Sequence, residues 1–285
     1  MNIRHGMMVI LMLSLSLLSQ NVLGEEKPLW EVGAGLVFLH LPDYRGSAEK
    51  RFLLLPYPYF IYRGDVVKVE KERISGRIFK TDRLLLDVSL FGNLPVKSSQ
   101  DTARSGMADL DPVFEMGPSL SIRLLENRQD HYRLSLTLPV RAVFSTDFSS
   151  LRHEGWVFSP RLIFQKSDII PESGLNLGIS AGPMFADSAY HRYFYSVEPA
   201  FATADRPAFD ADGGYSGSTL TISLNKVFKQ LIFNAFVSTD FLQGAVIEDS
   251  PLVKNKYSVV SGFTMSWIFL KSAKLARDDS YGSVK

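Results

Sequence analysis

The closest grouping of reactive side chains in this 285-residue sequence is Ser149-Ser150-Leu151-Arg152-His153-Glu154. A hydroxyl, an imidazole and a carboxylate are the parts of a Ser–His–acid hydrolase, in which the ring takes the hydroxyl proton and the acid orients the ring. The spacing works against that reading. His153 and Glu154 are adjacent, and consecutive residues of an extended chain point to opposite faces. No Gly-x-Ser-x-Gly elbow presents either serine. The other histidines are His5, which lies in the N-terminal leader, and His40, His131 and His191, which fall near strand ends or in loops. No catalytic residue is expected, and the chain reads as a non-enzyme.

Two acidic groups raise the question of a metal: Asp109 with Asp111, and Asp205 with Asp210 and Asp212. Calcium needs several oxygens at fixed spacing around a glycine turn, and Asp210-x-Asp212-Gly213 is only a fragment of such a loop. Both groups read as solvated loops, so neither a metal nor a cofactor is expected. The chain has no cysteine, which excludes disulfides and thiolate-bound zinc or iron–sulfur centres. Arg133, Arg141 and Arg161 are the cations of interest. On one face of a barrel wall they would line an anion-favouring constriction or form internal plugs with Glu115 or Asp87.

The elements that carry these residues are strands. In Tyr257–Phe269 the odd positions are apolar or aromatic apart from Ser261, and the even ones are mostly small or polar. That is the period of a strand with one greasy face. His131–Phe144 alternates in the same way, as does the segment before it, and the polar Glu126–Asp130 between them makes a hairpin. Leu175–Phe185, Gly217–Asn225 and Leu231–Phe241 repeat the pattern. Several of these segments reach the 9–11 residues that a tilted strand needs to cross a bilayer, longer than the five or six usual in soluble sheets. Their second faces hold Gly, Ser, Thr, Asn and scattered charge, as a barrel lumen requires. Trp30, Trp156 and Trp267 fall near strand ends, where an aromatic girdle would lie.

The sequence therefore predicts an all-β, transmembrane antiparallel barrel of about 12 strands, within a range of 10–14. The long connections, 92–111, 186–213 and 243–254, fall on one side. Residues 1–24 read as a secretory signal peptide, with Arg4 and His5 ahead of an apolar run that ends near Gly24. Residues 25–269 form the barrel, and 270–285 a polar, disordered tail. Lys68, Lys71 and Arg73 belong near a rim or on the lumen face, because a cation at the midplane of a barrel costs about 2–4 kcal/mol. The net charge of +1, from 31 basic and 30 acidic residues, gives no reason to expect a nucleic-acid partner.

Four stretches resemble the MipA/OmpV family of outer-membrane proteins: Gly33–Ser47, Leu55–Asp65, Tyr193–Gly214 and Glu248–Phe269. The third, with Ser-x-x-Pro and Pro-x-Phe-Asp inside a long outer loop, is the most distinctive. The resemblance implies an integral outer-membrane location and a non-enzymatic envelope scaffold. Its partners would be a murein hydrolase (a lytic transglycosylase) and a murein synthase (a penicillin-binding protein), with outer-membrane lipid around the wall. The alternatives are a passive pore for small solutes and a surface adhesion or stress-response barrel. The 270–285 tail departs from the family's pattern of ending on a terminal aromatic, and is the expected periplasmic handle for a partner.

Overall fold

The computed structural model describes residues 28–63, 67–70, 73–81 and 83–275. The expected signal peptide and the side chains of Lys68, Lys71 and Arg73 lie outside the described residues.

Thirteen strands make one antiparallel sheet: β1 (Trp30–Pro42), β2 (Lys50–Arg63), β3 (Val67–Glu70), β4 (Arg73–Lys80), β5 (Leu84–Asn93), β6 (Val113–Asn127), β7 (Tyr132–Thr146), β8 (Leu151–Phe158), β9 (Arg161–Lys166), β10 (Leu175–Ala186), β11 (Gly214–Phe228), β12 (Leu231–Phe241) and β13 (Tyr257–Lys271). Sequence neighbours pair in turn, and β13 pairs with β1, so the pairings form a ring. Both β8 and β9 pair with β7 on one side and β10 on the other. They are two halves of one wall strand, broken at Ser159-Pro160, where proline has no N–H to give a ladder. The thirteen strands therefore fill twelve positions, in agreement with the expected count.

Alternation sorts the faces as the sequence suggests. On β13, Tyr257, Val259, Phe263, Trp267 and Phe269 are exposed, whereas Ser258, Thr264 and Ser266 are buried. The outward set continues round the wall through Phe38, Leu54, Val140, Trp156, Ile222 and Val237. So much apolar surface on the outside of a closed sheet is what lipid contact requires. Facing inward, Asn234 donates to Thr264 Oγ1 at 2.8 Å and receives a bond from Asn225 at 2.5 Å. Thr221 and Ser238 pair at 2.8 Å.

The lumen departs from expectation on the β1–β2–β12–β13 side, where Val37, Leu39, Tyr59, Ile61, Ile232 and Phe236 fill it with apolar bulk.

The C-terminal boundary also differs. β13 runs past Phe269 through Leu270 and Lys271, opposite Val32 and Glu31. Ser272 N then donates to Trp30 O at 2.9 Å, Leu29 N donates to Lys274 O at 2.8 Å, and Leu275 bridges Pro28. Backbone pairing with the start of β1 keeps 270–275 in the wall, so only 276–285 are left for a tail, and these lie outside the described residues.

Candidate functional site

Four connections at the long-loop end, 43–49, 94–112, 187–213 and 242–256, fold together over the mouth of the barrel. Asp187 starts the helix α1 (Ser188–Tyr195) by accepting from Tyr190 N at 3.0 Å, a standard N-cap. The helix carries Tyr190, His191, Phe194 and Tyr195 on its buried face. Tyr190, Phe194 and Tyr195 pack with Tyr44, Val96, Leu110, Val197, Ile247 and Leu252, all no more than 6% exposed, in the largest apolar cluster among the described residues. Gly155 makes room for the helix: it has φ +119°, and a Cβ there would stand 2.2 Å from Asp187 Oδ1.

Polar groups lock the loops to one another. Arg206 donates to Ala103 O at 3.0 Å, Ser105 O at 2.8 Å and Phe201 O at 2.7 Å. Arg104 donates to Phe194 O at 3.0 Å, and its guanidinium lies 5.9 Å from the Tyr44 ring centre. Ser250 Oγ donates to Tyr195 O at 2.6 Å, and Tyr44 Oη donates to Leu252 O at 3.0 Å. Burial raises the Tyr44 phenol far above its ordinary range and pushes Tyr195 up to about 12. His191 is fully buried, with Nδ1 2.6 Å from Asp212 O. Burial lowers its pKa against the opposing pull of that carbonyl, so the ring is neutral in the folded lid.

Beneath the lid lies a cavity of about 210 Å³. Its charged lining is Arg45, Arg141 and Arg161 with Glu115, Asp240 and Asp43. Arg141 Nε donates to Glu115 at 2.8 Å and Nη2 donates to Ser159 Oγ at 2.9 Å. Arg45 Nε stands 3.3 Å from Asp240, and Asp43 is taken by Arg51 at 2.6 Å. Leu41, Phe91, Phe236, Val260 and Tyr190 complete the walls.

Of the three arginines singled out in the sequence, Arg141 and Arg161 come together here, and Arg141 forms the expected plug with Glu115. Arg133 does not join them. It reaches Glu126 at 3.1 Å near the opposite end, and Arg123 holds the same carboxylate at 2.8 Å. Asp87 is buried in the wall. Sequence reasoning missed Arg45 and Asp240. Asp240 had a signal, since it continues the inward set Asn234, Phe236, Ser238 of β12; Arg45 sits in a loop and had none.

The Ser–His–Glu grouping is not assembled. Ser149 and Ser150 both donate to Asp147. His153 lies on the outside of the wall, edge-on to the Phe144 and Trp156 rings. A bulge opposite Val143 and Phe144 turns Glu154 to Ser145 Oγ at 2.5 Å. The aspartates also disperse. Asp109 accepts from Ser98 N at 2.8 Å, Asp111 pairs with Arg152, and Asp210 pairs with Arg192 at 2.8 Å. Asp205, Asp210 and Asp212 are exposed, as a solvated loop requires, while Arg206 and Ala211 of the same segment are buried in the lid. Among the described residues no three metal-binding side chains cluster.

Comparison with known proteins adds the family. The family model described as MltA-interacting protein MipA matches residues 32–269, and no curated protein matches the sequence. Among solved structures the chain is similar to a bacterial polysaccharide outer membrane secretin, with 8% identity, 86% of this chain and 100% of that one covered, and a TM-score of 0.41. It is also similar to Pseudomonas putida OprB (8%, 84% and 94%, 0.35) and to the Ralstonia pickettii toluene transporter TbuX (11%, 88% and 72%, 0.28). These likenesses are too loose to carry an argument, and the fold stands on its own strand pairings.

Proposed function

The chain belongs to the MltA-interacting protein MipA family, and on that premise we propose that this outer-membrane barrel is a closed, non-enzymatic scaffold. It holds a murein hydrolase of the lytic transglycosylase type, together with a murein synthase, at the inner face of the outer membrane. The observation that carries the reading is the lid. Among the described residues, interlocked loops cover the barrel mouth and ion pairs cross the cavity below them, which counts against a passive pore. The family's description names MltA as the interacting protein, which supports a hydrolase as the partner. The short turns at the inner end offer little docking surface, so residues 276–285, which leave the β1–β13 seam there, are the proposed handle.

The test is a pull-down from crosslinked envelopes, comparing the full chain with one ending at Leu275. A cut at Phe269 would remove paired wall residues and confuse folding with binding. Capture of murein hydrolase and synthase by the full chain, lost on truncation, is the expected result. Capture of neither enzyme overturns the scaffold reading. Planar-bilayer recording of the full chain tests closure: steady conductance from the intact protein would restore the pore.

A further inference from the structure

The cavity under the lid has a polar ceiling that the lid itself does not use. Tyr190 and Tyr195 come down from α1, are 3% and 1% exposed, and both line the cavity. Their backbones and rings are tied into the lid: Asp187 holds Tyr190 N, Ser250 holds Tyr195 O, and both rings meet His191 and Phe194. Their phenol oxygens are not, since among the described residues neither makes a hydrogen bond. The charges that act on the Tyr190 phenol include those of Glu115, Arg45 and Arg141, and those that act on Tyr195 include Arg45 and Asp240. All four line the cavity, so both phenols point down into it. Buried polar groups are hydrogen-bonded as a rule. Phenylalanine would fill the same space without an unused hydroxyl, so packing does not explain the two tyrosines.

The floor holds the complementary group. Glu115 is 2% exposed, and Arg141 takes its Oε2. Its Oε1 accepts from none of the described residues, so one carboxylate oxygen remains as an acceptor. Beside it the wall is rich in hydroxyls: Thr219 donates to Asp240 at 2.5 Å, and Thr221 pairs with Ser238 at 2.8 Å. Phe91 and Phe236 supply apolar faces to the same space.

Each charged side chain of the lining already has a partner. Arg45 faces Asp240, Arg141 faces Glu115, Asp43 faces Arg51, and Arg161 has a partner of its own. An ion would enter this buried space as an uncompensated charge, which is costly; a neutral molecule would not. A volume near 210 Å³ exceeds the ~150 Å³ that takes a benzene, so a six-membered ring with substituents has room.

We propose that this cavity binds a neutral, hydroxyl-bearing ring compound of single-sugar size. The Tyr190 and Tyr195 phenols hold two of its oxygens from above, Glu115 Oε1 accepts a hydrogen bond from one of its hydroxyls below, and its C–H faces lie against Phe91 and Phe236. Burial keeps both phenols protonated, so each can donate as well as accept. Because the two tyrosines belong to the lid helix, the ring enters when the lid opens, and once bound it ties the lid to the wall.

The experiment uses the full-length protein in phospholipid nanodiscs. Saturation-transfer NMR is run with D-glucose, D-galactose and myo-inositol at millimolar concentration, and with D-glucuronate as the charged counterpart. The expected result is saturable transfer to at least one neutral ring and weaker binding of glucuronate. The bound ring also slows hydrogen exchange at Val197 N and Phe209 N, since a ligand of the closed lid stabilises it. The Tyr190→Phe, Tyr195→Phe double variant keeps both aromatic rings and removes no bond within the protein. It should show unchanged lid exchange without ligand and bind the ring about tenfold more weakly. No transfer to any of the three neutral rings overturns the proposal. So does binding that the double variant leaves unchanged, which places the ring elsewhere, and so does glucuronate binding as tightly as the neutral rings, which makes the site one for anions. The comparison of neutral rings with glucuronate uses unaltered protein, so it decides the matter even if the variant does not fold.

Discussion

Arg206→Ala should open the lid without opening the barrel. The side chain is 9% exposed and bonds three carbonyls, Ala103, Ser105 and Phe201, in two different loops. A hydrogen bond from a charged donor is worth about 1.5–3 kcal/mol, and such bonds are not additive. The lid is at the water-facing end, so solvent reaches some of the orphaned carbonyls. A loss of about 3 kcal/mol is therefore expected, rather than the sum of the bonds. At about 1.4 kcal/mol per tenfold, that is roughly a hundredfold in the opening equilibrium. Hydrogen exchange reads it directly, because locally opening units exchange by their own free energy. The reporters are Val197 N and Phe209 N, which bond each other's carbonyls at 2.8 and 3.0 Å, and Leu110 N, bonded to Val96 O at 2.9 Å. Their exchange should quicken about a hundredfold while amides of β6, β7 and β11 stay as they were. A change below about threefold at the reporters, or an equal change in lid and wall, would refute the idea of a separately locked lid.

Acid should weaken the lid as well. The buried His191 ring has a pKa below its ordinary value, whereas the unfolded ring takes a proton near 6.5. Its contribution is thus complete above about pH 6.5 and is lost as pH falls below it; thermal midpoints measured from pH 8 to 5 should decline on the acid side, and His191→Phe should flatten that decline. Glu115→Gln removes one partner of the Arg141 pair inside the wall and should cost about 3 kcal/mol, seen as a lower urea midpoint, with much of it recovered in the Glu115→Gln, Arg141→Met double variant. Gly117→Ala should harm folding into vesicles more than Gly262→Ala does. The new Cβ meets Val140 backbone oxygen at 2.0 Å in the first case and the movable Phe236 ring at 2.2 Å in the second.

Where period-2 alternation is strict, the sequence was readable. The outward face of β13 and the β6–β7 hairpin follow from it, because lipid outside and polar groups inside impose opposite chemistry on neighbouring residues. The lid was not read, although Ser188–Tyr195 carries a helical pattern: apolar or aromatic Tyr190, Phe194 and Tyr195 recur on one face behind the capping Asp187. A reading tuned to strands treats such a segment as loop. The lumen was half-read for a related reason. Polar inward residues announce themselves between apolar ones, but Leu39 and Phe236 look the same whether they face lipid or a filled interior. The Arg45–Asp240 contact joins a loop to a strand far along the chain, and no local pattern encodes it.

The seam between β1 and β13 has a consequence for how the molecule forms. Every other wall contact joins adjacent wall positions along the chain, with β8 and β9 counted as one, so each can form locally soon after the chain is delivered. The seam joins Pro28 to Leu275. Closing a loop of ~250 residues costs about 2.5 kcal/mol more in chain entropy than closing one of ~15. Zipping is therefore cheap everywhere except at the last join, and that join waits for the last strand. The chain entropy places the slow step of assembly at Glu31–His40 against Ser261–Lys271, and changes there should slow closure more than equal changes in any hairpin.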